Sequence, residues 1–381
     1  MLKSILAITT LFFASSPMAQ NTTRIEIKSL PAYHAAGSAV YIAGSFNGWN
    51  PQDEQYKFKK DETGNYFLEL KLEPGSYEYK ITRGGWDKVE CKKGGAAIEN
   101  RRLTTGGDIK EELTIEEWQD RIATKPRVST VSKNVTIVDT AFLIPRLKRM
   151  RRVLIYLPEN YTASAKRYPV MYMHDGQNVF DDATSFAGEW GVDDYLDTIK
   201  LKQSIIVAVD NGGNKRMNEY CPYDFTLNPK IPKGNAGEGK QYAEFLAKTL
   251  KPFIDKNYRT LKDKKNTFIA GSSMGGLISL YAVLKYPKVF GGAGVFSPSV
   301  WICKPELLNL IKTTGKKVNS KIYFYCGKLE GPGMVPDMLL AFQELAAVSK
   351  SKMTTVIRDD GKHNEPAWRK EFPLFYEWIM K

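Results

Sequence analysis

The chain has 381 residues, 43% of them hydrophobic and 25% charged, which excludes a disordered or fibrous protein and leaves room for one large domain or two. Its formal charge of +13 can draw anionic ligands over long range, yet no nucleic-acid module accompanies it, so nucleic acid is not an expected partner. Four scattered cysteines make no disulfide framework, although a Cys221–Cys303 pairing stays open in an oxidising compartment, and three histidines without HExxH or CxxC point to no metal site.

Residues 1–20 read as an export signal. Met1-Leu2-Lys3 gives a positive start, Ile5 to Phe13 is almost wholly apolar, and the exit from Ser15 to Gln20 is mostly small residues. That apolar core is too short to span a membrane stably, and no later run of about 18 apolar residues follows it. A periplasmic or secreted protein is expected, without lipid attachment, since no cysteine lies near the cleavage region.

Residues 21–110 carry short segments of period two separated by turns. "AVYIAGSF", "YFLELKL" and "YEYKIT" read as strands, with "NGWNP" and "EPGS" between them, which predicts a small immunoglobulin-like β-sandwich. Residues 111–134 are charged and are read as a linker. Beyond them "RLKRMRR" (146–152) leads into the apolar "VLIYLP" and reads as a solvated strand edge.

From 135 to 381 the texture alternates between strands and helices. "RVLIYLP", "YPVMYMHD", "SIIVAVD", "NTFIAG", "GGAGVFS", "KIYFYC" and "MTTVIRD" are strand candidates; "GKQYAEFLAKTLKPFIDK", "GGLISLYAVLKY" and "VPDMLLAFQELAAVSK" are helical. Continuously apolar strands alternating with helices predict an α/β domain with a doubly wound, mostly parallel sheet.

In such a sheet, ligands meet residues just past the carboxyl ends of the strands. Ser273 follows "FIAG" inside Gly271-x-Ser273-x-Gly275, Glu330 follows "KIYFYC", and His363 follows "MTTVIRDD". A serine hydroxyl needs a base beside it, and imidazole needs a carboxylate to fix its tautomer and balance its charge. The order Ser, Glu, His is that of nucleophile-elbow enzymes, so these three are the candidate triad. Asp337 competes with Glu330 for the acid but falls in the following helix rather than at the strand exit. His174, in "MHDGQN", reads as a supporting residue, and His34 as a surface or packing histidine of the first domain.

Residues 135–381 resemble the esterase D-like branch of the α/β-hydrolases, which includes feruloyl, acetyl-xylan and siderophore esterases and mycolyltransferases. The resemblance rests on "YMHDGQNVF" (172–180), "GEW" (188–190), "RMNEY" (216–220), "YRT" (258–260), "GSSMGGL" (271–277), "FSPSVW" (296–301) and "HNEPAW" (363–368). It implies Ser273 as nucleophile, Glu330 as acid, His363 as base, and an oxyanion hole at the N–H groups of Met274 and Gln177. Trp190, Tyr220 and Trp301 either wall an acyl pocket or fill the core, and Arg216 and Glu219 are expected to pair.

"GSFNGWNPQ" (44–52) and "GSYEYKITRGGWD" (75–87) resemble starch- and glycogen-binding modules. That resemblance implies sugar held by Trp49, Trp86 and Lys80; the alternative is a sandwich that only covers its neighbour. The expectation is an exported serine esterase without metal or organic cofactor, acting on an acetyl- or feruloyl-type ester linked to carbohydrate. A siderophore trilactone esterase and a non-catalytic glycan-binding protein remain the alternatives.

Overall fold

Apolar residues at every second position build the first unit. In Thr22–Ser29, Ile25 and Ile27 point inward, and in Tyr66–Lys71 so do Tyr66, Leu68 and Leu70. These strands pair antiparallel in the register Ile25↔Leu68, and Lys59–Lys60 and Ile109–Thr114 flank them in a four-stranded sheet. A three-stranded sheet of Tyr41–Gly44, Gly75–Thr82 and Arg101–Thr105 contributes Ile42, Tyr79 and Leu103 to the same core.

The computed structural model describes residues 22–35, 37–122, 127–200, 202–226 and 234–381, so the expected export signal lies outside the described residues. The chain divides into two compact units, Met1–Lys125 and Pro126–Lys381. The expected linker at 111–134 therefore begins too early. Ile109–Thr114 runs parallel to Thr22–Ser29, Glu117–Trp118 pairs with Glu90–Cys91, and Leu113, Ile115 and Trp118 are buried. Outward-facing charges such as Glu112 and Glu116 hide that inward alternation in the sequence.

The second unit is an eight-stranded sheet. Its strands are β1 (Val135–Ile144), β2 (Arg149–Tyr156), β3 (Val170–His174), β4 (Ile205–Val209), β5 (Thr267–Ser272), β6 (Gly292–Phe296), β7 (Lys321–Gly327) and β8 (Lys352–Arg358). They lie in the order β1-β2-β4-β3-β5-β6-β7-β8, with β2 antiparallel to both neighbours and every pairing from β4 to β8 parallel. Strand residues feed opposite faces in turn. Ile269 of β5 joins Leu277 and Tyr281 of helix Met274–Lys285 on one face, while Phe268 and Ala270 join Phe372 and Phe375 of helix Glu365–Met380 on the other. This is the doubly wound arrangement that the apolar strands imply.

Several elements escape the sequence reading, among them the helices Val192–Thr198 and Lys304–Thr314. β1 is a largely exposed edge strand with no clean alternation, and the last helix carries Pro373 in its interior. The basic run is also not a free edge. Arg149 donates to Glu219 (2.8 Å) and Glu238, Arg151 to Glu219, and Arg152 to Asp210 (2.9 Å). Among the described residues no helix is long and apolar enough to cross a membrane.

Candidate active site

Ser273 stands where β5 turns into helix Met274–Lys285, with φ 60° and ψ −120°. A positive φ is costly for a residue with a side chain, and it persists only where its surroundings hold it. Here the Ser273 N–H donates to the Phe296 carbonyl at 2.9 Å, and the Ser273 carbonyl accepts from the N–H groups of Leu277 and Ser299. Two glycines make the turn sterically allowed. A Cβ on Gly271 would lie 2.9 Å from His174 Cδ2, and one on Gly276 would lie 2.6 Å from the Phe296 carbonyl oxygen.

Glu330 and His363 meet at the exits of β7 and β8. His363 Nδ1 lies 3.0 Å from Glu330 Oε2, and the Glu330 side chain is fully buried. The other carboxylate oxygen accepts from the Gly327 N–H at 2.6 Å and from the Ser297 hydroxyl at 2.7 Å. Trp368 Nε1 donates in turn to Ser297 Oγ at 2.9 Å, and the Trp368 ring packs edge-on against His363. A carboxylate held by this many donors fixes the ring and leaves Nε2 as the basic nitrogen; Nε2 has no partner among the described residues. Asp337 points elsewhere, 2.5 Å from Lys304 Nζ.

The structure does not join Ser273 to His363 by a hydrogen bond among the described residues. Ser273 Oγ lies 3.2 Å from Ser299 Oγ instead. Met274 and Gln177 each offer a backbone N–H with no partner among the described residues. β3 and β5 are adjacent, with Met173 opposite Ala270, so the turns bearing Gln177 and Met274 are neighbours. A Cβ on Gly275 would touch both His174 Cβ and Asp175 Oδ2.

Asp175 itself sits in left-handed conformation with φ 55° and anchors this side of the site. Arg216 grips it through two bonds of 2.6 and 2.8 Å, and Asn211 donates to it at 2.7 Å. Burial pushes the Asp175 carboxyl up, but the Arg216 guanidinium and these hydrogen bonds outweigh it and hold it below the usual range. The expected Arg216–Glu219 pair is thus corrected. Arg216 binds Asp175, and Glu219 takes Arg149 and Arg151.

Of the aromatic pocket candidates, Trp190 is core, stacked on Trp368 at 5.9 Å and packed on Phe296. Tyr220 is buried too, its hydroxyl accepting from the Asp175 N–H at 3.2 Å. Trp301 is 47% exposed and free to meet a ligand. The sequence reading missed the bonding of Ser297, Ser299, Trp368 and Asp175, although all four lie in the motif stretches that carry the resemblance.

His174 supports rather than titrates. Its Nδ1 lies 3.1 Å from the Tyr242 phenolic oxygen, and burial pushes its pKa down to about 4, with Asp175 opposing and Arg216 adding to the shift. An unfolded histidine titrates at about 6.5, so this group's stabilisation is complete above that pH and is lost as pH falls towards 4. The loss amounts to about 3 kcal/mol. Asp193, raised to about 7 by burial, acts in the opposite sense, losing its stabilisation as pH rises towards 7. Urea unfolding at pH 7 and pH 4.5 should therefore show wild type losing about 2 kcal/mol more than His174→Gln, with Asp193 common to both. Equal losses would contradict a buried neutral imidazole.

In the first unit the structure brings Trp49 and Trp86 together, both half-buried, with ring centroids 6.2 Å apart. Lys80 is already engaged, its ammonium donating to the Ile98 carbonyl at 2.8 Å. All four cysteines are free thiols, so Cys221 and Cys303 are not bridged. Among the described residues no group of three or more His, Cys, Asp or Glu side chains is placed to hold a metal ion. A strained serine at a helix start, an oriented imidazole and unspent N–H groups are the parts that acyl transfer requires.

Residues 144–374 match the family model "Esterase: Putative esterase". The chain is 28% identical over 190 residues to an endo-1,4-beta-xylanase/feruloyl esterase of Xylanibacter ruminicola, covering 48% of this chain and 23% of that protein. It is 42% identical over 95 residues to an alpha-amylase of Niallia circulans, covering 24% of this chain and 7% of that protein. The chain thus spans less than a quarter of either curated relative. The crystal structure of the BES protein from Bacillus cereus has the same fold, with a TM-score of 0.54 at 18% identity over 68% of this chain and 98% of that one.

Proposed function

The chain belongs to this esterase family of carboxylic ester hydrolases, and on that premise we propose that Ser273 attacks an ester carbonyl to form an acyl-enzyme. His363 Nε2 takes the serine proton and returns it to the leaving alcohol, while Glu330 holds the ring and balances the imidazolium. The N–H groups of Met274 and Gln177 receive the oxyanion, Met274 with the added field of a helix N-terminus. Water activated by the same imidazole then releases the acid. The observation that carries this reading is the buried Glu330 carboxylate holding His363 at strand exits beyond a positive-φ serine.

The ester is carbohydrate-linked in this reading, of acetyl or feruloyl type, and the protein is exported. The names of two relatives, an alpha-amylase and an endo-1,4-beta-xylanase/feruloyl esterase, support the glycan. The adjacent Trp49 and Trp86 rings support a stacking platform for sugar in the first unit. Lys80 contributes to it only by giving up its bond to Ile98.

The test is a substrate panel. Acetylated and feruloylated xylan fragments should turn over at least tenfold faster, by kcat/KM, than a ferric catecholate trilactone. Preference for the trilactone would replace the glycan reading with a siderophore one. On polysaccharide gels, Trp49→Ala and Trp86→Ala should lose retardation while hydrolysing p-nitrophenyl acetate normally, because a tethered module raises only local polymer concentration. Absence of retardation in the wild type would make the first unit structural.

A further inference from the structure

At the end of the sheet opposite Ser273 lies a cavity of about 590 Å³, within the size range of small-molecule sites. β5 starts beside it with Phe268 on its wall, and the six residues of the strand carry the chain about 17 Å away before the turn at Ser273. Lys264, Lys265, Lys321 and Lys352 line this cavity, and among the described residues no Asp or Glu side chain does. Lys381 also lines it, beyond these four.

None of these four lysines makes an ion pair among the described residues. Lys264 donates to the Asn319 carbonyl at 2.8 Å and Lys321 to the Ile379 carbonyl at 3.3 Å, while Lys352 sits 6.0 Å from the Trp378 ring centroid. Elsewhere lysines of this chain do find carboxylates, as Lys251 does with Asp255 and Lys304 with Asp337. The nearest acid along the chain is Asp263, whose two carboxylate oxygens each accept from the Asn266 side-chain amide. Four like charges around one concavity repel, and desolvation adds to the cost; both Lys264 and Lys321 are pushed below the ordinary lysine pKa by burial, Lys321 also by Lys352 and Lys202. A multivalent anion removes both costs at once.

We propose that this cavity is a second binding site, distinct from the Ser273 site, for a small polyanion carrying two or more phosphate, sulfate or carboxylate groups. The ammonium groups act as point charges on flexible stems, which suits several spaced oxyanions rather than one carboxylate gripped in two places. The site needs no ester chemistry, and it stands whether or not Ser273 is the nucleophile.

The experiment is isothermal titration of the full chain at low ionic strength with tripolyphosphate, a sulfated heparin disaccharide and trigalacturonate. At least one should bind with one-to-one stoichiometry, and the tightest of the three names the anion type. Lys264→Gln/Lys321→Gln should weaken that binding at least tenfold. Lys265→Glu/Lys352→Glu, at two exposed positions, should abolish it and guards against a folding defect in the first pair. Lys256→Gln, an exposed lysine elsewhere, should bind as the wild type does, and all variants should keep their turnover of p-nitrophenyl acetate. No heat with any of the three anions would overturn the proposal. So would equal weakening by Lys256→Gln, which would reduce the effect to the general positive charge of the chain.

Discussion

Ser273→Ala and His363→Ala are each expected to lower kcat on p-nitrophenyl acetate by about ten-thousand-fold or more. The serine hydroxyl is the atom that bonds to the acyl carbon, and without the imidazole it keeps its proton. Neither change should unfold the protein. Among the described residues Ser273 Oγ has only Ser299 Oγ as a hydrogen-bond partner, and His363 stands largely exposed beyond the end of a strand. Thermal unfolding should move by only a few degrees. The double variant should be little worse than either single one, because groups that act as one unit are not additive. A multiplicative loss would mean that the two act in separate steps.

The second large effect separates two carboxylates. Glu330→Gln is expected to lower kcat by about a thousand-fold or more, and Asp337→Asn by less than about twofold. Glu330 takes donors on both oxygens, from Gly327 and Ser297 on one and His363 on the other, with the Cys326 thiol 3.5 Å from the latter. A glutamine must turn its NH2 towards one of these donor sets. It then loses either the anchor or the imidazole, and in neither case can it balance an imidazolium. Asp337 is bound to Lys304 and has no path to His363. The reverse ranking would put the acid on the helix Met334–Val348 rather than at the exit of β7.

Much of the second unit was legible because its strands are buried on both faces, so their apolar runs stand out without any knowledge of partners. β3 to β7 fall within a residue or two of the expected segments for that reason. Glu330 could be singled out because it follows a strand directly, and the structure pairs it with His363. Residues whose work is to hold others were not legible. Ser297 matters because Trp368, 71 residues on, donates to it while it donates to Glu330. Nothing in "FSPSVW" alone reveals that.

Arg216 shows the same limit. Glu219 is three residues away on one short helix, the natural local partner, yet the structure gives Arg216 to Asp175 across 41 residues. Trp190 was ambiguous since a tryptophan packs as readily in a core as in a cleft, and only its stacking on Trp368 decides the matter. In the first unit the strands after residue 108 were hidden by glutamates on the outward face, although Leu113, Ile115 and Trp118 turn inward.

The central claim is that Ser273 carries the acyl group, and it can be read directly by mass. Wild-type protein quenched in acid during steady turnover of p-nitrophenyl ferulate, then digested and analysed by mass spectrometry, should carry the feruloyl mass on Ser273. His363→Ala should show far less of it, and Ser273→Ala none. Turnover without an acyl adduct on Ser273, or with the adduct on another residue, would contradict the account.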